Sequence, residues 1–299
     1  MKVIITGCGG LLGRELLRQL AQDDRHTVCA LSSNVEKTSM LVGTYPNTTV
    51  FHADALINGQ ITCDSNTILI NCAFPRNEND PQMAQGLEYV RATLCAAAHS
   101  GIGAIINISS QSVYDINRTS PATEKDSPLL QSKYAVGKYA TELFTKMLQP
   151  VVPCTNIRLA SLISKDFDQR LTNKMAEIAL ETGEISVLTC DQRFGFLDVE
   201  DAARGILMLL HTPTKTWDSV YNLGSNYSYS LMEIAQPLSR LLAEEWNISV
   251  TIKEVPSDKT GVTALCNDQL HKQIGNYQYI PLEESLRRII AKKMNARNE

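Results

Sequence analysis

Short apolar runs alternate with amphipathic stretches through the first half of this chain. The runs at Lys2–Thr6, Thr27–Leu31, Thr49–His52, Thr67–Asn71, Ala104–Ser109 and Thr155–Ala160 read as strands. They are continuously apolar rather than alternating, as expected for strands covered on both faces. Between them, Leu11–Gln22, Asn34–Leu41, Pro81–Ser100 and Leu130–Gln149 carry a helical period. Strand–helix alternation of this kind predicts an α/β fold, a Rossmann-type doubly wound parallel sheet. After Ser161 the pattern loosens. Arg170–Glu181, Glu200–His211, Leu231–Trp246 and Leu282–Lys293 read as helices, and Ser219–Leu223 and Ser249–Lys253 as strands. The expected organisation is a nucleotide-type domain over 1–160, to which parts of 196–225 return, and a smaller interwoven lobe over most of 161–299.

Composition narrows this only a little. A chain of 299 residues, 43% hydrophobic and 20% charged, suits a large core with an added lobe. A net charge of -4 and a pI near 5.8 give no reason to expect nucleic acid as a partner. The basic positions Arg287, Arg288, Lys292, Lys293 and Arg297 suit the solvated face and negative end of a last helix. The eight cysteines include no C-x-x-C pair, and several sit inside apolar runs. They read as reduced core residues of a cytoplasmic protein, with neither disulfide nor metal site expected. No signal peptide precedes the first strand, and no apolar run is long enough to cross a membrane.

The chemistry begins with Thr6-Gly7-Cys8-Gly9-Gly10-Leu11-Leu12-Gly13, which follows the first strand and opens the first helix. In that context Gly7 permits a tight turn, Gly10 lets backbone approach a pyrophosphate, and Gly13 lets the helix pack on the strand. The helix N-terminus then faces the phosphates. The second strand ends in Leu31-Ser32-Ser33-Asn34, with neither the acid that favours NAD nor a basic residue. Ser32, Ser33 and Asn34 could bond a 2′-phosphate, and Lys37 or Arg14 could add charge, so the balance tips slightly to NADP; alternatively these residues only cap a helix. Asp54 closes the third strand, either to accept the adenine amino group or as a turn residue. Asn71-Cys72-Ala73-Phe74 closes the fourth with small residues that admit a cofactor.

Tyr134 and Lys138 stand one helical turn apart, on one face of the helix. A nearby ammonium favours phenolate, so the pair can exchange a proton near neutral pH. Ser109-Ser110-Gln111-Ser112-Val113-Tyr114 leaves the fifth strand just upstream. A serine there can donate a hydrogen bond to a carbonyl or hydroxyl, or simply end the strand.

Together these motifs resemble the extended short-chain dehydrogenase/reductase superfamily, NAD-dependent epimerase/dehydratase branch. Further anchors are Arg158, Phe196-Leu197-Asp198-Val199-Glu200-Asp201 and Tyr221-Asn222-Leu223-Gly224-Ser225. The resemblance implies that Tyr134 is the acid/base, that Lys138 holds the nicotinamide ribose, and that Ser110 orients the reacting oxygen. It implies further cofactor contacts from Gly7, Gly10, Leu11, Leu12, Gly13, Ser32, Ser33, Asp54, Ala55, Cys72, Ala73 and Phe74. Related sugar dehydratases carry an Asp-Glu pair where this chain has Gln111 and Ser112, and 3,5-epimerising relatives a cysteine at Ser112. Those departures favour a ketoreductase or 4-epimerase, with a nucleotide-sugar as the leading substrate. Ser112, Ser161 and Arg193 are the candidate substrate contacts. Ser161 replaces an asparagine, Arg193 is displaced by one residue, and Gly86 stands near the place of a second asparagine. The alternatives are a reductase of a non-nucleotide ketone and a non-catalytic dinucleotide sensor. Asp198, Glu200 and Asp201 suit a helix N-terminus. Trp217 and Trp246 suit lobe core or an interface. Tyr139, Leu143 and Met147 offer a face for a homodimer partner or for the protein's own core.

Overall fold

The structure, a computed structural model, describes residues 1–75, 79–225 and 227–298. Seven parallel strands form the central sheet: β1 (Lys2–Thr6), β2 (Thr27–Ser32), β3 (Thr48–His52), β4 (Thr67–Asn71), β5 (Ala104–Ser110), β6 (Cys154–Leu159) and β10 (Val220–Leu223). Their order is β3-β2-β1-β4-β5-β6-β10, every neighbouring pair parallel. Helices α1 (Leu11–Leu20), α2 (Val35–Val42), α3 (Asp80–His99), α4 (Lys133–Leu148) and α6 (Val199–Leu210) accompany it. Ile4, Ile5, Leu69 and Ile70 are fully buried, as continuous apolar strands require. The chain leaves β1 in one direction for β2 and later returns on its other side as β4. Ligands of open α/β sheets bind at such a reversal, beyond the strand carboxyl ends.

A second apolar cluster lies in the later half. It joins α5 (Leu171–Thr182), β8 (Glu184–Thr189), α7 (Leu231–Trp246) and α9 (Leu282–Asn298) through Met175, Val187, Leu238, Leu286 and Ile290. Strand β8 pairs in parallel with β11 (Thr251–Pro256). Strands β7 (Ser161–Ile163) and β9 (Phe196–Asp198) form another parallel pair, and α8 (Asp268–Ile274) follows β11. The sequence pattern did not announce β7, β8, β9 or α8. Three are very short, and β8 alternates weakly between buried and exposed positions. Asp198 caps α6 by accepting the Glu200 N–H, which gives it a structural task.

Helix α4 starts at Lys133 rather than Leu130. Ser132 is extended and caps the helix by accepting the Ala135 N–H. Gln131 instead turns back to accept the Ile116 N–H at 2.8 Å.

The seam between α4 and the sheet is polar. Lys138 Nζ donates to the Ile108 carbonyl at 2.8 Å, and Asn107 Nδ2 donates to Thr141 Oγ1 at 3.0 Å. Thr145 Oγ1 donates to Asn156 Oδ1 at 2.8 Å. Glu142 receives Arg158 Nε and Nη2 at 2.9 and 2.7 Å and also the Ser109 hydroxyl. Beneath this seam an in-register row crosses four strands. Thr6 donates to Asn71 at 2.7 Å, Asn71 to Asn107 at 2.9 Å, and Asn107 to Asn156 at 2.8 Å. Burial works against the Arg158 charge, but the hydrogen bonds and charge of Glu142 outweigh it, so its pKa is raised.

Removing one partner of a buried pair strands the other charge. Glu142→Ala is therefore expected to cost about 3–5 kcal/mol of stability, read from urea unfolding; a loss typical of a surface site would remove the seam's structural role.

Candidate functional site

The loop between β1 and α1 is shaped by what its glycines exclude. Gly7 has φ +66°, and a β-carbon there would lie 2.8 Å from the Ala73 nitrogen. One on Gly13 would lie 2.4 Å from the Gly7 oxygen. Gly10 donates its N–H to that same oxygen at 2.9 Å and stands at the N-cap of α1 without a side-chain cap. The first amides of α1 thus keep their capacity for an anion, the arrangement a dinucleotide's pyrophosphate needs.

Two cavities, of about 870 and 510 Å³, share Gly7, Gly10, Arg14 and Phe74. The larger runs past Ser33, Asn34 and Lys37 to Ala53 and Tyr89. The smaller runs past Ser110, Tyr134 and Lys138 to Ser161 and Arg170. Their shared wall is the glycine loop, so together they form one cleft extending both ways from the phosphate cradle. These residues fit an extended dinucleotide.

In the smaller cavity, the Lys138 ammonium sits 4.2 Å from the Phe74 ring centroid, and the Tyr134 ring meets Phe74 edge-on at 5.3 Å. A β-carbon on Gly137 would press on Phe74 at 2.9 Å, so this glycine lets the helix close over that ring. Ser110 Oγ accepts the Ser112 N–H and donates to Ser112 Oγ, both at 3.1 Å. Ser109, by contrast, spends its hydroxyl on Glu142. Gln111 donates to Ser161 Oγ at 3.1 Å and accepts from Arg118 at 3.0 Å, which fixes its amide. Desolvation pushes the Cys72 thiol up to about 12, so it lines the cavity uncharged.

Leu11, Leu12, Gly13, Cys72, Ser112 and Ser161 line the smaller cavity, and Ala73 the larger. Ser33 lines the larger one from an exposed position. Ser32 also borders it, but its hydroxyl is held by Asn34 and Thr38. Asp54 borders neither cavity; its carboxylate is half-exposed, 3.5 Å from His52 Nδ1. Ala55 is fully buried, so it supports the turn instead of touching a ligand. Arg193 is likewise outside both cavities, bonded to Ser228 and paired with Glu233 at 3.0 Å. Gly86 is pressed against Pro75, where a β-carbon would lie 2.3 Å from Cγ, leaving no space for a side chain. Two contributors escaped the sequence reading. Tyr89 of α3 donates to the Ala53 carbonyl at 3.0 Å beside the larger cavity. Arg170 lies over the Phe167 ring at 4.6 Å and lines the smaller one. Neither belongs to a local motif.

Comparison places this fold among known proteins. The crystal structure of UDP-glucuronic acid 4-epimerase from Bacillus cereus, in complex with NAD, superposes with a TM-score of 0.84 at 16% identity, covering 100% of this chain and 99% of that one. UDP-N-acetylglucosamine 4-epimerase from Bacillus cereus gives 0.79 at 18%, covering 97% and 98%. A dTDP-glucose 4,6-dehydratase from Bacillus anthracis gives 0.77 at 16%, covering 100% and 98%. At these identities the likeness establishes the fold. A comparison with curated protein sequences gives no match. The model of one family, described as NAD dependent epimerase/dehydratase, matches residues 3–224. That match takes in the glycine loop, the strand ends and the tyrosine helix together, and the chain belongs to the NAD dependent epimerase/dehydratase family.

Proposed function

We propose that this protein is a nicotinamide-dependent enzyme acting on a hydroxyl or keto carbon of a nucleotide-sugar, as a 4-epimerase or ketoreductase. The observation that carries the reading is the meeting of Ser110, Tyr134 and Lys138 in one cavity beside the phosphate cradle. When bound, the dinucleotide supplies the hydride chemistry. Tyr134 gives a proton to, or takes one from, the reacting oxygen. Lys138 stabilises the phenolate form through its positive charge. Ser110 orients the oxygen through its hydroxyl. A sensor would need none of the three together.

Relatives on this fold include both epimerases and dehydratases, so the choice rests on this chain's own residues. Elimination needs an acid and a base beside the reacting carbon. Gln111 and Ser112 occupy the places where related dehydratases carry carboxylates. Among the described residues, the sole carboxylate lining the smaller cavity is Asp166, which is paired with Lys292 at 2.8 Å. This supports hydride and proton transfer without elimination. For the substrate's phosphates, Arg170 is the candidate cation, since it lines the smaller cavity while Arg193 is paired with Glu233. Leu143 and Met147 of α4 are exposed, at 41% and 67%, which supports a homodimer through that face.

The family and its solved members support NAD as the cofactor. A second reading, NADP, is favoured by the charge of the residues that line the larger cavity. Arg14 and Lys37 line it, and among the described residues no carboxylate does. Asn34 caps α2 by accepting the Lys37 N–H, so the helix end adds a field favourable to an anion.

Tyr134→Phe is expected to lower kcat on a UDP- or dTDP-sugar by about 100-fold or more, with cofactor affinity nearly unchanged; near wild-type turnover would remove the acid/base role. Arg170→Ala is expected to raise KM for the nucleotide-sugar while sparing turnover of saturated enzyme, measured by initial rates. Direct titration with both cofactors settles the 2′-phosphate. If NADP is used, Lys37→Ala weakens NADP about tenfold, the worth of one charged hydrogen bond, and leaves NAD binding unchanged. Equal effects on both would favour NAD.

A further inference from the structure

A group of metal-ligating side chains lies at the opposite end of the sheet, where β2 begins. Asp23 and His26 sit in the α1–β2 turn, and His211 ends α6. One ligand atom from each lies within 4.8 Å of the other two. His26 Nε2 is 3.3 Å from Asp23 Oδ2, and the two imidazole rings are tilted with centroids 5.4 Å apart. Donor atoms around a tetrahedral Zn2+ are about 3.3 Å apart, given bonds near 2 Å. The Asp23–His26 edge already has that length, and His211 is exposed and able to swing the remaining distance.

The state of His26 points to a ligand. Its side chain is only 4% exposed, yet among the described residues Nδ1 has no hydrogen-bond partner. A neutral imidazole has one N–H and one lone pair. With the proton on Nε2, the Nδ1 lone pair is unmet in the core. With it on Nδ1, a buried N–H is unmet, and the Nε2 lone pair faces a carboxylate. A cation between Nε2, Asp23 and His211 turns that last opposition into two bonds, with the proton held on Nδ1, whose own lack of a partner the cation does not change. Arg25 grips both Asp23 oxygens at 2.8 and 2.6 Å, which orients the carboxylate as outer partners of metal ligands do. The same guanidinium and the Met1 ammonium, which donates to the Arg25 carbonyl, add positive charge nearby and moderate the affinity.

We propose that Asp23, His26 and His211 bind one borderline divalent transition metal, Zn2+ best, with the fourth position open to water. Two imidazoles and one carboxylate suit zinc. Helix α1 packs on α6, so the ion would clamp the α1–β2 turn to the end of α6, remote from the catalytic cleft.

The test uses tag-free, full-length protein stripped with chelator. Titration calorimetry with Zn2+ is expected to show one equivalent bound at micromolar concentration and a raised Tm. His211→Ala and Asp23→Asn are expected to weaken binding at least about tenfold and abolish the Tm shift, with circular dichroism unchanged. Co2+ substitution is expected to give weak visible bands without thiolate charge transfer. No saturable binding at micromolar Zn2+ overturns the proposal. So does equal binding by His211→Ala, which removes that residue from the ligand set, or a thiolate band, which places the metal on the cysteines.

Discussion

The structure depends on how helix α4 is fastened to the sheet. Its sheet-facing residues are Lys138, Thr141, Glu142 and Thr145, spaced as one helical face, and each is hydrogen-bonded to β5 or β6. Apolar packing sets distance but tolerates sliding, because it has no direction. Hydrogen bonds to fixed strand positions set rotation and register as well. At the centre, Glu142 and Arg158 form a buried bidentate pair. Such a pair gains little net stability over an apolar one, but it fixes one arrangement, since any other strands a charge. The helix that carries Tyr134 is therefore pinned by Lys138 and by the residues that follow it.

The same seam explains an inversion of the usual helix pattern. The apolar residues Val136, Leu143 and Met147 are exposed, while the side turned to the core is polar. Beneath it, Thr6, Asn71, Asn107 and Asn156 carry the polar connection across four strands to the loop at Gly7. Thr6 also accepts the Ala73 N–H at 3.1 Å, which binds the end of β4 to the end of β1. A continuous row of satisfied amides thus links the wall of the glycine loop to the helix that carries Tyr134 and Lys138. Buried networks of this kind are rigid when complete and costly when broken.

The cleft itself follows from chain direction. Parallel strands place all their carboxyl ends on one edge, and the reversal beside β1 opens a crevice there. Glycine at 7 and 13 lets the loop pack on the end of β4 and α1 pack on the loop, beside that crevice. Glycine at 137 and Gly86 act differently: they let helices close on Phe74 and Pro75, which narrows the walls.

Much of this was legible in the residues. The strands of the central sheet and the glycine loop rest on local patterns, because backbone period and turn geometry act over a few residues, while the roles proposed for Ser110, Tyr134 and Lys138 rest on the family resemblance. The sequence also signalled where Gln111, Ser112 and Gly86 depart from related enzymes. It did not show that Ala55 is buried, that Arg193 is bound to Glu233, or that Arg170 reaches the cavity. Nor did it reveal the in-register row of amides or the meeting of Asp23 and His26 with His211. Each of these depends on residues far apart in the chain, and only the packing of the finished sheet and helices decides which of them touch. The sequence by itself determined the fold type and the chemical groups at its strand ends; the tertiary structure decided which side chains face the cleft, because burial and partner choice are properties of the assembled core.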